Sequence, residues 1–258
     1  MNTRTMEFGY SWAAYKAIEE DMMRVIEYIP LETRQYDVYS FKLTDIIIRS
    51  CSHIDSLFKD ILRNRDLSDH PNQQKITKVK ESLTKNQMIK ISDYIEIFAE
   101  YLNLAPVEVI IRRNNDRRRP FKEFENPSDK TPTWWRAYND LKHDFYSNID
   151  QGTLENALAS LSALFVLNCQ SAWKLKLQEN MDYLVLNRVI TSPNFVHTGD
   201  LLNYIKKDPT LEKYSLLAQT DLFEYWLSYN EETIGDIVAE RLVATERMSI
   251  PVGEDKYD

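Results

Sequence analysis

Leu43-Thr44-Asp45-Ile46-Ile47-Ile48-Arg49-Ser50-Cys51-Ser52-His53-Ile54-Asp55-Ser56-Leu57-Phe58-Lys59-Asp60-Ile61 decides the fold class. Together with Tyr39 upstream, its apolar positions Leu43, Ile46, Ile47, Ile54, Leu57, Phe58 and Ile61 recur at i, i+3, i+4 and i+7, with Ser50 in the same stripe. That period belongs to a helix with one buried face. The pattern predicts a helix over about 38–63. Working outward, Ser11 is placed to cap an earlier helix over about 12–28, stopped near Pro30, and 64–73 reads as a loop. A further helix over about 92–103 starts at Ser92 or Asp93. Thr153 caps a long one to about 177, with Leu154, Leu158, Leu161, Phe165 and Ala172 on its buried face.

Five glycines in 258 residues argue against barrels and sandwiches, and neither GxGxxG nor GxxxxGK[ST] occurs. The expected fold is mainly α: an antiparallel helical bundle with a small inserted β-hairpin and a mostly helical C-terminal extension. The hairpin is expected over 106–124, where Val107 to Ile111 is β-branched and alternating and Asn114-Asn115-Asp116 forms the turn. Residues 181–190 read as a strand or an apolar linker, followed by helices near 198–207, 219–229 and 233–248. A boundary near 178–195 divides a bundle domain, 1–178, from a C-terminal subdomain, 179–258.

The net charge of −8 is unevenly distributed. Residues 179–258 hold 15 acidic and 7 basic residues, so the first 178, with 25 of each, are neutral. Against that background Arg112, Arg113, Arg117, Arg118, Arg119 and Lys122 cluster around Asp116 alone. Guanidinium forks suit phosphate backbones, so the arginines are candidates for nucleic-acid contact. The alternative is that they pair with Glu123, Glu125 or the acidic C-terminal region. That acidic region is also a candidate to fold over the hairpin or the motif described next.

Thr131-Pro132 is a good helix start, opening a predicted helix over about 132–147 that carries Trp134-Trp135-Arg136-Ala137-Tyr138-Asn139-Asp140-Leu141-Lys142-His143. Seven helical steps fall about 20° short of two turns, so Arg136 and His143 share a face, with Asn139 and Asp140 between. A histidine moves protons near neutrality and an arginine holds phosphate oxygens as charge builds. The pair suits RNA cleavage by attack of the ribose 2′-hydroxyl on the adjacent phosphate. Asn139 is placed to orient the imidazole or to bind the ribose or phosphate, and Lys142 adds positive field. One histidine per chain leaves the second proton transfer to a second copy of the helix. The competing interpretation gives Trp134, Trp135, Tyr138, Leu141 and Phe145 to core or interface packing and His143 to a hydrogen bond with a neighbouring helix.

Arg136-x6-His143, late in a helical bundle, resembles the R-x(4–6)-H motif of the HEPN superfamily over about residues 10–178. It departs from that pattern at Ala137, where a polar residue is common. The resemblance implies a metal-independent endoribonuclease of a defence or toxin-type system, acting as a homodimer through the motif helix on RNA. Non-catalytic relatives that bind a protein partner or nucleic acid make the alternative. No cofactor is expected. His53, His70 and His197 form no ligand spacing with Cys51 or Cys169, so no metal is expected either. Both cysteines read as buried free thiols. No apolar run is long enough to span a membrane and no secretory leader is visible, which points to the cytoplasm.

Overall fold

A computed structural model describes residues 8–125, 131–175, 177–192, 197–207 and 216–228. The deciding stretch forms α2, Phe41–Asn64, opened by Ser40, whose Oγ accepts from the Leu43 N–H at 3.2 Å. Its stripe from Leu43 to Ile61 is buried throughout, while Tyr39 lies before the helix and is exposed. Each such aliphatic side chain, moved from water to the core, contributes about 1.5–3 kcal/mol. α2 packs on α1, Phe8–Ile26, and on α6, Leu154–Lys174.

Ser11 is no cap. It sits inside α1, buried, and its hydroxyl donates to Asn168 Oδ1 on α6 at 2.8 Å. A buried tertiary acceptor claims a hydroxyl that local chemistry would assign to a helix start. Thr153 does cap α6, its Oγ1 accepting from Asn156 N–H at 3.1 Å. α6 is buried on every side from Ala157 to Ala172, so the face read from its sequence is only part of what it buries.

Two short helices lie beyond α2. α3, Gln73–Thr84, has no counterpart among the expected elements. It buries only Ile76, Val79 and Leu83, too thin a stripe to stand out, and Asn72 caps it through Lys75 N–H. α4, Ile91–Phe98, begins at Lys90, whose N–H donates to the Asp93 carboxylate. α5, Thr133–His143, packs against both α2 and α6.

The C-terminal third mixes helix and strand. Residues expected as a strand or linker form α7, Gln178–Leu186, followed by the two-residue β3, Ile190–Thr191. α8 is Thr198–Lys207, as expected. The helix expected near 219–229 is absent; β4, Leu216–Gln219, and β5, Phe223–Ser228, stand there. Phe223, Tyr225 and Leu227 are buried while Glu224 and Trp226 are half-exposed, a period of two that only a strand satisfies. The expected helix near 233–248 lies outside the described residues.

These strands join β1, Val109–Ile111, and β2, Asp116–Arg118, in one antiparallel sheet of order β2-β1-β5-β4-β3. Ile110 pairs with Glu224 and Ile111 with Phe223. The sheet thus takes strands from both sides of the charge shift near 178–195. Phe165 of α6 packs against Phe223 and Tyr225, with centroids 6.1 and 5.4 Å away. Among the described residues, no helix is long and apolar enough to cross a membrane.

Candidate nucleic-acid interface

α5 starts one residue later than Thr131-Pro132 implies. Pro132 takes the cap position without a side-chain bond, and its carbonyl accepts from Trp135 and Arg136 N–H, both at 3.0 Å. The helix stops at His143, four residues short of the expected end, and Asn148 Nδ2 donates to the carbonyls of Asp140 and Asp144 there. Trp134, Trp135, Ala137, Tyr138 and Leu141 are buried, which fixes the helix rotation. Trp134 is the anchor. Its Nε1–H donates to Pro120 O at 2.7 Å and its ring meets Phe121 edge-on.

That rotation turns Arg136 and His143 outward. Both are exposed, Asn139 is half-buried beside them, and none of the three side chains makes a hydrogen bond or ion pair among the described residues. Lys142 is exposed, with its ammonium 5.3 Å from the Tyr138 ring centroid. Ala137 faces the core at 1% exposure, so a polar group at this position would be buried away from the Arg136 and His143 side.

An aromatic patch adjoins this face. Phe145, two residues past His143, stacks on Phe41 with ring centroids 6.0 Å apart, and Tyr146 meets Phe145 edge-on. Phe41 is 70% exposed and Tyr146 88%. Phe145 is therefore half-exposed surface rather than core. Phe41 was not legible as part of the site, because 102 residues of sequence separate it from His143 and only the fold brings the two segments together. Tyr146 had a weak signal, an aromatic between Phe145 and a polar run.

The hairpin arginines are held differently. Arg117 pairs with Glu108 at 2.5 Å and Arg119 with Glu125, while Arg112 donates to Thr220 O and faces Glu224 at 3.5 Å. Arg118 is the most enclosed. It pairs with Asp116 and Glu155 and lies over the Tyr36 ring, 4.6 Å from its centroid. Tyr36 in turn donates to Asp116 at 2.7 Å, and that bond, with burial as the larger cause, pushes its phenol pKa up. Arg113 and Lys122 are exposed and unpaired among the described residues. Four of the five arginines expected to meet nucleic acid are thus engaged with carboxylates.

The remaining histidines take separate places. His70 is buried and saturated: Nδ1 accepts from Asn72 N–H, so Nε2–H donates to Ile97 O. His53 is half-exposed, its pKa lowered by burial and then by the Arg49 charge. Arg49 itself binds Asp21 and Asp45. His197 opens α8, where its carbonyl accepts from Asp200 and Leu201. Cys51 and Cys169 are free and buried, and burial raises both thiol pKa values. Among the described residues no group of three or more His, Cys, Asp and Glu is placed to hold a metal ion. No known protein family, no curated protein and no solved structure matches this chain.

Proposed function

We propose that the outward face of α5 is a metal-independent RNA-cleaving surface of HEPN-like type, belonging to a defence or toxin-type system and working in the cytoplasm. One observation carries this reading: Arg136, Asn139 and His143 share one side of a firmly anchored helix and have no partner within the described fold. Unpaired polar groups on a rigid element are free to meet a ligand. The finer architecture belongs to the same reading: α1, α2, α5 and α6 form the antiparallel bundle, and the basic β1–β2 ribbon is an insertion before α5.

His143 takes the proton of a ribose 2′-hydroxyl, whose oxygen then attacks the adjacent phosphorus. Arg136 binds the non-bridging oxygens as charge accumulates, and Asn139 steadies the imidazole or the ribose. The bond from phosphorus to the 5′-oxygen breaks, leaving a 2′,3′-cyclic phosphate and a 5′-hydroxyl. The departing oxygen needs a proton, which the His143 of a second copy supplies in a homodimer. Purified protein should cut RNA in EDTA with cyclic phosphate ends, and His143→Ala should abolish it; undiminished cutting by that variant would overturn the proposal.

A second reading rests on the aromatic patch. Phe41 and Tyr146 are largely exposed and lie together through Phe145, and such groups stack bases or pack on protein partners. In this reading α5 binds without cleaving. Tyr146→Ala then weakens binding while His143→Ala does not.

A further inference from the structure

Three helices of this chain end in the same way. After α3, Asn86 N–H bonds Leu83 O and Gln87 N–H bonds Ser82 O. After α4, Asn103 N–H bonds Glu100 O and Leu104 N–H bonds Ala99 O. After α7, Arg188 N–H bonds Val185 O and Val189 N–H bonds Leu184 O. This paired pattern places one residue in the left-handed region, and the three have φ of 53°, 49° and 57°. The conformation costs an ordinary L-residue roughly 1–2 kcal/mol, which glycine avoids and asparagine tolerates. The other left-handed residue among the described ones, in the β1–β2 turn, is Asn115. Arginine is the exception. A cation near a helix C-terminus gains from the dipole, but the whole last turn of α7 offers that gain without strain and contains no basic residue.

Arg188 lines a cleft of about 550 Å³ between α1, the end of α7 and the β4–β5 turn. Two other cations line it, and both are positioned by partners. Lys16 is held by Glu19 at 2.5 Å and Asp221 at 3.1 Å, and Arg112 by Thr220 O and Glu224. Glu19 is itself buried and fixed by Tyr15 Oη–H and Leu222 N–H. Arg188 is exposed and makes no side-chain hydrogen bond or ion pair among the described residues. Among the described residues Asp221, 74% exposed, is the one carboxylate lining the cleft. Trp12 and Tyr183 add aromatic wall and Gln219 an amide.

We propose that this cleft binds a small phosphate-bearing molecule, with Arg188 as its free cation and Lys16 and Arg112 as the pre-positioned ones. A strained arginine at a position suited to glycine then has a purpose: its charge is needed over the cleft. The site is separate from the α5 face, none of whose residues lines it.

Calorimetric titration of the full chain with inorganic pyrophosphate and with ADP tests this. Binding of either is expected, weakened about tenfold or more in Arg188→Gly, since a charge-assisted bond contributes roughly 1.5–3 kcal/mol. Arg188→Gly should melt at the parent temperature or above it, because glycine relieves the left-handed strain. Tighter binding of ADP than of pyrophosphate gives the aromatic wall a share, and equal binding assigns the site to phosphate alone; both support the proposal. Three results overturn it: no binding of either probe by the parent at millimolar concentration, parent-like binding by Arg188→Gly, or a lower melting temperature in Arg188→Gly. Arg188→Gln, which keeps a side chain but loses the charge, should also weaken binding, and parent-like affinity in it would count equally against the site.

Discussion

The β1–β2 ribbon and α5 present the same chemistry to a reader of sequence, namely cations beside aromatics, and the fold treats them in opposite ways. On the ribbon, Arg112, Arg117, Arg118 and Arg119 each meet a carboxylate, and Arg118 is enclosed against Tyr36. On α5, the aromatics go inward and anchor the helix, leaving Arg136 and His143 unpaired. A dense run of arginine is thus mostly fastening, and a sparse pair two turns apart is what remains available. Availability depends on neighbours rather than on composition.

The largest expected effect tests the available side. His143→Ala should lower RNA cleavage by about 100-fold or more, the usual scale of lost proton transfer, with an unchanged melting temperature. A fall in melting temperature equal to that of a core variant would erase the contrast with the ribbon. Next comes the fastening side. Arg118→Ala should cost about 2 kcal/mol in urea unfolding, because it removes charge-assisted bonds to two half-exposed carboxylates and uncovers Tyr36, and RNA affinity corrected for folded fraction should stay at the parent value. A large affinity loss in that variant would return the ribbon to the interface.

A third, smaller effect follows from Asp21, which lies with Lys42 and Arg49 between α1 and α2. The bond from Lys42, followed by that from Arg49, holds its carboxyl below the ordinary carboxylate value despite partial burial. Its folded pKa is the lower one, so the unfolded chain takes up the proton first. The stabilisation is complete above pH about 4 and fades as the pH falls through the folded value. Asp21→Asn should flatten the acid limb of a stability curve; an unaltered limb would remove this pairing from the list of fastenings. The smallest effect is expected from Arg117→Gln, an exposed pair with Glu108 whose loss should cost under about 1 kcal/mol. A cost matching that of Arg118→Ala would show that exposure does not grade the ribbon's ion pairs.

Sequence made α2 legible because eight positions of one stripe report on one buried face. It made the cap of α6 legible because Thr153 acts within three residues of itself. α3 was hidden by its brevity, with three buried positions in 12 residues. β4 and β5 were hidden for another reason. The alternation in Phe223-Glu224-Tyr225-Trp226-Leu227 was present, but five residues are too few to tell a strand from a buried helical face. What makes the segment a strand is pairing with Ile110 and Ile111, far away in sequence. Arg136 and His143 were legible as residues on a shared helical face. Their lack of partners was not, because that property belongs to the positions of all other side chains. Arg188 gave no local signal at all: its left-handed backbone follows from where α7 stops.

The pairing of β1 with β5 also bears on how the chain is made. Once β2 has followed it from the ribosome, Val109–Ile111 is paired on one edge, and among the described residues its other edge waits for Phe223 and Glu224. From its own synthesis until that of Tyr225, Phe165 of α6 lacks the Phe223 and Tyr225 rings that pack against it. An open strand edge beside uncovered aromatic surface invites association with other chains. With this topology the open edge and the uncovered ring persist until β5 is made, so the interval before the sheet closes is the one in which shielding matters.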